Sequence, residues 1–180
     1  AKLNVRVAEV VEVNELIKRF RFVARDGSEL PAFSGGAHTV VEMDDHGTRR
    51  LNPYSLMSDP EDRSGYEISV RRDDAGRGGS LYMHAHVKPG DEMVLSHPMN
   101  LFPLDNRARK HLFFAGGIGI TPFIAMAHQL AQFGGKVALF ARLQQARVMS
   151  LAGAVAFFTL LSLVPALSLL ITIYRYFTNP

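Results

Sequence analysis

The sequence predicts a small antiparallel β-barrel or sandwich, then one strand-helix-strand unit of an α/β domain, then an apolar helical tail. Three observations predict this order. Short alternating runs separated by turn residues fill the first hundred positions, a glycine-rich turn between a strand-like and a helix-like segment follows Asp105, and no charge occurs from Val148 to Tyr174. These divide the chain into segments 1–105, 106–145 and 146–180.

In the first segment Leu3, Val5 and Val7 alternate with polar residues, as do Phe20 and Phe22, Val40 and Glu42, and Ile68 and Val70. Period-two alternation marks a strand with one face in a core. The intervening turns are Arg25-Asp26-Gly27, Ser34-Gly35-Gly36, Asp44-Asp45-His46-Gly47, Asp59-Pro60 and Pro89-Gly90-Asp91. Many short strands at such spacing suit a closed or sandwiched sheet. In the second segment His111 to Ala115 reads as a strand and Gly116 to Thr121 as a turn. Pro122 to Phe133 reads as a helix with proline in its first turn, and Lys136 to Ala141 as a second strand after Gly134-Gly135. That is one unit of a parallel sheet.

The chain has 180 residues, 47% of them hydrophobic and 21% charged, enough for one large or two small cores. Its net charge of +3 comes from basic residues interspersed with nearly as many acidic ones, which points to phosphates of small cofactors and away from nucleic acid. Cysteine is absent, excluding disulfides, thiolate metal sites and a thiol nucleophile. Redox chemistry therefore requires a bound organic cofactor. The polar start, Ala1 to Val13, lacks the layout of a secretory signal, and the expected location of the front module is the cytoplasm. The charge-free stretch 148–174 is long enough to span a bilayer, with Pro165 near its middle as a kink, so the expected arrangement is a cytoplasmic module anchored to the membrane by its tail.

Three segments carry chemistry. Asn52-Pro53-Tyr54-Ser55-Leu56-Met57-Ser58 combines an aromatic ring, hydroxyls and backbone amides on a strand edge, a surface suited to a flat heteroaromatic ring; a tyrosine packed in a barrel is the plainer reading. In Arg71-Arg72-Asp73-Asp74-Ala75-Gly76-Arg77-Gly78-Gly79-Ser80, glycines let successive N–H groups converge on an anion, Arg71 and Arg77 add charge, and Ser80 adds a hydroxyl; a solvated loop is the plainer reading. In Gly116-Gly117-Ile118-Gly119-Ile120-Thr121-Pro122 a strand turns into a helix whose N-terminus favours a pyrophosphate, although the spacing departs from the common dinucleotide fingerprint.

Together with Gly36-Ala37-His38, the segments Tyr54-Ser55-Leu56, Gly76-Arg77-Gly78-Gly79-Ser80 and Gly116 to Pro122 resemble, in order, the phthalate dioxygenase reductase group of ferredoxin-reductase-like flavoenzymes. The likeness is strongest to the reductase components that serve Rieske oxygenases acting on small quaternary amines or demethylated substrates, and it covers residues 1 to about 142. It implies a six-stranded, FMN-binding antiparallel barrel, FAD being possible, followed by a domain for NADH as co-substrate. By that resemblance Tyr54, Ser55 and Leu56 contact the flavin ring, Gly79 and Ser80 its phosphate, and Gly117, Gly119 and Thr121 face the nicotinamide and pyrophosphate. Electrons pass from NADH through flavin to an oxygenase component or iron-sulfur domain. One departure stands out: many members carry arginine two positions before the tyrosine, where this chain has Asn52, so Arg49, Arg50, Arg71 or Arg77 would have to take that role. The family's later nucleotide-domain segments and its C-terminal two-iron two-sulfur domain have no counterpart after Ala141, so the resemblance implies impaired NADH oxidation.

Ser150 to Pro165 resembles the first membrane helix of the YihY/BrkB family, so the sequence offers two further readings: a membrane protein defined by its tail, or an inactive flavin-binding fragment created by fusion or frameshift near Gln144-Gln145-Ala146. His84 and His86 form a pair suited to one face of a strand, but no third ligand completes a metal set. Met57, Met83, Met93, Met99 and Met126 read as core fillers. Ser55 and Ser80 lack the context of a hydrolase nucleophile, and no side chain is assigned a catalytic role.

Overall fold

The computed structural model describes residues 2–108 and 110–132, and the backbone of 137–142. All of them fall in one compact unit, Ala1–Gln144, so the segments 1–105 and 106–145 share it. The expectations made for Gly134-Gly135, for the stretch 148–174 and for the fusion near Gln144 lie outside the described residues. Among the described residues no helix is long and apolar enough to cross a membrane.

Strands β1 (Lys2–Asn14), β2 (Ile17–Ala24), β3 (His38–Asp45), β4 (Thr48–Ser55), β5 (Tyr66–Arg71) and β6 (Glu92–Ser96) form one sheet in the order β4-β3-β6-β1-β2-β5. Every pairing in it is antiparallel. Its edge strands approach at one end, where the Met57 N–H just beyond β4 donates to the Glu67 carbonyl of β5 at 2.9 Å, giving the sheet the curl of a half-barrel. Alternation decides which side faces in. In β2 the buried positions are Phe20, Phe22 and Ala24, and in β5 they are Tyr66, Ile68 and Val70. Register aligns Val7 with Phe22 and Phe22 with Tyr66, and aligns Val10 with Phe20 and Phe20 with Ile68, so inward columns of large side chains run across three strands. Full burial of each of these two phenylalanines contributes about 2 kcal/mol. β1 keeps the pattern only as far as Val7, since register shifts after Val7 and after Glu12 interrupt it.

Two features differ from the sequence expectation. Residues Gly79–Ala85 form a short helix, α1, which takes in the last two residues of the expected loop, Gly79 and Ser80, and it places Met83 in the barrel core. His84 and His86 therefore lie on α1 and at its C-cap, not on a strand: His84 Nε2 meets the Val70 carbonyl at 2.9 Å, and the His86 ring packs 5.2 Å from Tyr82. Met99 is 45% exposed, whereas Met83, Met93 and Met126 are buried as core fillers should be.

The second part follows the expected order. Strand β7 (His111–Gly116) runs parallel to β8 (Val137–Arg142), and between them lie a short 3₁₀ turn, Gly117–Ile120, and helix α2 (Thr121–Gln132). α2 buries Ala125 and Met126 and stacks Phe123 on Phe113 with ring centroids 4.7 Å apart.

Tyr66 closes the base of the barrel. Its ring is fully buried, packs edge-on against Phe33 and its hydroxyl donates to the Pro31 carbonyl. Burial pushes its pKa from 10.0 up to about 12. Because the folded value is raised, the corresponding stability is fully present below the unfolded value of 10.0 and is lost as pH climbs through about 12. Tyr66→Phe is expected to cost about 1 kcal/mol at neutral pH, for the lost hydrogen bond. It should also flatten the alkaline decline, which urea titrations at pH values across this window measure; an unchanged decline in the variant refutes the assignment to Tyr66.

Candidate functional site

Alternate residues of β4 define the first part of the site. Arg50, Asn52 and Tyr54 lean inward and are partly buried, whereas Arg49, Leu51 and Pro53 face solvent. Two of the three inward residues, Arg50 and Asn52, meet the glycine loop ahead of α1. Arg50 lies over Gly78, where a Cβ would come within 2.9 Å of its guanidinium carbon, and Asn52 lies over Gly79, where a Cβ would come within 2.5 Å of its side-chain amide. No side chain fits at either glycine without displacing its neighbour, and Gly78 also has φ 92°, in the left-handed region. Asn52 Nδ2 donates to the Tyr54 hydroxyl at 3.4 Å. Burial raises the Tyr54 pKa, and the hydrogen bond from Asn52 partly opposes it.

Beyond these glycines the Ser80 hydroxyl accepts the Asp73 N–H at 3.1 Å, folding the loop back on itself. Its amides at the head of α1 have no helical carbonyl behind them. Arg71 and Arg77 are exposed, and neither forms an ion pair among the described residues. Thus the structure gathers Asn52, Tyr54, Gly78, Gly79 and Ser80 in one place, with Arg77 on the loop beside them and Arg71 at the end of β5.

The second part is a cavity of about 370 Å³ lined by Gly36, His38, Pro53, Ser55, Leu101, Phe102 and Pro122. Four segments build it. Ser55 and His38 are paired across β4 and β3, Pro122 sits in the first turn of α2, and Phe102 belongs to the segment after β6. Asn100 fixes that segment by donating to Ser34 Oγ at 2.6 Å and to the Gly35 carbonyl at 3.0 Å, and by accepting the Phe102 N–H at 3.0 Å. α2 is fastened alongside: Gln129 accepts the Gly35 N–H at 2.6 Å, and Gln132 donates to Asp59 at 2.9 Å. The cavity therefore lies where barrel and α/β unit meet. Leu56, the third residue of the expected ring contact, is fully buried in the barrel core, with its N–H donating to the Ala37 carbonyl.

At the glycine-rich turn, a 3₁₀ turn precedes α2, and both the N–H and the hydroxyl of Thr121 donate to the Ile118 carbonyl. Among the described residues nothing lies within 4 Å of where side chains at Gly116, Gly117 or Gly119 would sit. In contrast to Gly78 and Gly79, these glycines leave open space. Sequence reasoning missed Phe102; it had noted His38 within Gly36-Ala37-His38 and Arg50 as one candidate for the phosphate, but not the cavity that His38 lines or the loop contact of Arg50, for which the period-two face shared by Arg50, Asn52 and Tyr54 was the available signal.

No family model matches the chain. The carnitine monooxygenase reductase subunit of Escherichia coli (strain K12) is 51% identical over 127 residues, which are 71% of this chain and 40% of that protein. The solved structure of phthalate dioxygenase reductase, described as a modular structure for electron transfer from pyridine nucleotides to a two-iron two-sulfur centre, superposes with a TM-score of 0.73 at 38% identity, covering 78% of this chain and 43% of that one. The flavohem-like FAD/NAD binding domain of nitric oxide dioxygenase from Vibrio cholerae gives 0.73 at 27% identity, covering 86% and 68%. A half-barrel followed by the opening unit of an α/β domain is thus the ferredoxin-reductase-type fold. Over the matched stretch the chain is similar to oxygenase reductase components of the phthalate dioxygenase reductase type. It spans about two fifths of the length of the curated relatives that it matches.

Proposed function

We propose that residues 1–142 form a flavin-dependent electron-transfer module that takes a hydride from NADH and passes electrons from FMN to an oxygenase component or an iron-sulfur domain. The cavity at the meeting of barrel and α/β unit carries this reading, because it brings Ser55 of the expected ring strand within one pocket of Pro122, which follows the expected nicotinamide turn. Hydride transfer needs two flat rings held in contact, and a cleft between two packed elements offers a place to align them. Tyr54 and Ser55 would hold the ring, with Leu56 backing their strand from the core; Asn52, Arg71, Arg77, Gly78, Gly79 and Ser80 would hold the phosphate; Gly116, Gly117, Gly119 and Thr121 would face the nucleotide. The flavin supplies the redox chemistry, and these residues supply alignment. FMN is preferred to FAD in this reading because the resemblance of the sequence motifs implies it.

The test is spectroscopic. The full chain mixed with FMN and desalted is expected to stay yellow, with flavin bands in near one-to-one ratio to protein, and anaerobic NADH is expected to bleach them slowly, as impaired NADH oxidation requires. A colourless protein refutes flavin binding. Colour that NADH never bleaches favours the flavin-binding fragment without reductase activity.

A further inference from the structure

We propose that Arg50 is the positioning residue of the phosphate loop, setting its preference for a phosphorylated flavin by fixing the Arg77–Gly78 peptide; this rests on the flavin reading above. In the family pattern the cation sits two positions before the tyrosine, and here Asn52 occupies that place. The next residue on the same face of β4 is Arg50. Its guanidinium is committed at both ends. Nε donates to Asp45 Oδ2 at 2.8 Å and Nη2 lies 2.7 Å from the same oxygen, while Nη1 donates to the Arg77 carbonyl. Both partners of the ion pair are only about a quarter exposed, at 26% and 22%, so water competes weakly for it.

The geometry assigns separate tasks to two arginines. In a planar trans peptide the C=O and the following N–H point in opposite directions. Fastening the Arg77 carbonyl to Arg50 therefore turns the Gly78 N–H to the side away from Arg50. Gly78, at φ 92°, admits this arrangement, and its missing Cβ leaves room for the guanidinium plane. Arg50 is charge-neutralised by Asp45, so it shapes the loop without adding free positive charge, whereas Arg77 has no ion pair among the described residues and is left to meet an anion. A second link holds the same pieces together: His46, in the turn between β3 and β4, packs edge-on against His86 with ring centroids 6.0 Å apart, joining the hairpin to α1.

The test compares FMN with riboflavin, which has the same ring but no phosphate, in the full-length chain. The wild type is expected to bind FMN at least about tenfold more tightly than riboflavin. Arg50→Ala should cut that preference to about threefold or less while riboflavin affinity stays within about twofold. Arg50→Lys, which keeps a cation but lacks the planar fork, should lose the preference as well, and it guards against a folding defect in the alanine variant. A preference retained in either variant overturns the proposal, as does an equal loss of both flavins, which marks general damage. Wild-type protein that binds riboflavin as well as FMN overturns the cradle and Arg50's role while leaving ring binding intact; protein that binds neither overturns the flavin reading itself.

Discussion

Gly36→Ala is expected to lower the melting temperature by about 10 °C and to abolish stable flavin retention. Gly36 has φ 93°, a conformation that costs an ordinary residue about 1–2 kcal/mol. A methyl group there also overlaps the Phe102 carbonyl oxygen and comes within 2.7 Å of the Met126 terminal methyl. The methionine can move aside, but the carbonyl belongs to the segment that Asn100 pins to Ser34 and Gly35. Strain and forced backbone movement together should reach about 3–4 kcal/mol, which corresponds to the stated shift for a chain of this size. Gly47→Ala is the control: Gly47 has φ 85° with nothing within 4 Å of a built Cβ, so it carries the strain without the collision. Thermal melts of both variants separate the contributions. If Gly36→Ala melts within about 3 °C of Gly47→Ala, the close approach at Phe102 does not matter and the cavity wall is softer than described.

Sequence made the barrel legible wherever a strand buries one face and wets the other. Phe20, Phe22, Ile68 and Val70 were recognisable because each has a charged residue on at least one side. β6 was passed over, since five residues ending in a serine carry little pattern, although Met93 and Leu95 are buried there. α1 was hidden for a different reason. It has seven residues, starts at a glycine and has no side-chain cap, so nothing local announces a helix, and packing of Met83 into the core decides the matter. At the site, the ring strand and the glycine loop stood out by residue type, but the contacts that join them span 27 residues in sequence. The cavity was less legible still. Its walls come from four segments brought together by folding, and one wall residue, Phe102, carries no distinctive chemistry.

Ser55→Trp is expected to weaken FMN and riboflavin alike by about a hundredfold, or about 2.7 kcal/mol. Ser55 ends β4, pairs with His38 and faces the cavity of about 370 Å³ between barrel and α2. An indole there fills the space proposed for the isoalloxazine ring. The cavity opens to solvent and the native residue is only partly buried, so the larger side chain has room without disturbing the barrel core, and the circular dichroism spectrum should not change. This outcome differs in kind from that of the Arg50 variants: blocking the ring site removes both flavins, while loosening the phosphate loop removes only the advantage of FMN. Reduction of ferricyanide by NADH, measured at a fixed low FMN concentration, should fall in proportion to flavin occupancy, because flavin is the only redox centre proposed for this chain. Flavin retained at wild-type stoichiometry in Ser55→Trp would place the ring elsewhere on the barrel and refute the cavity as the site where nicotinamide and flavin meet.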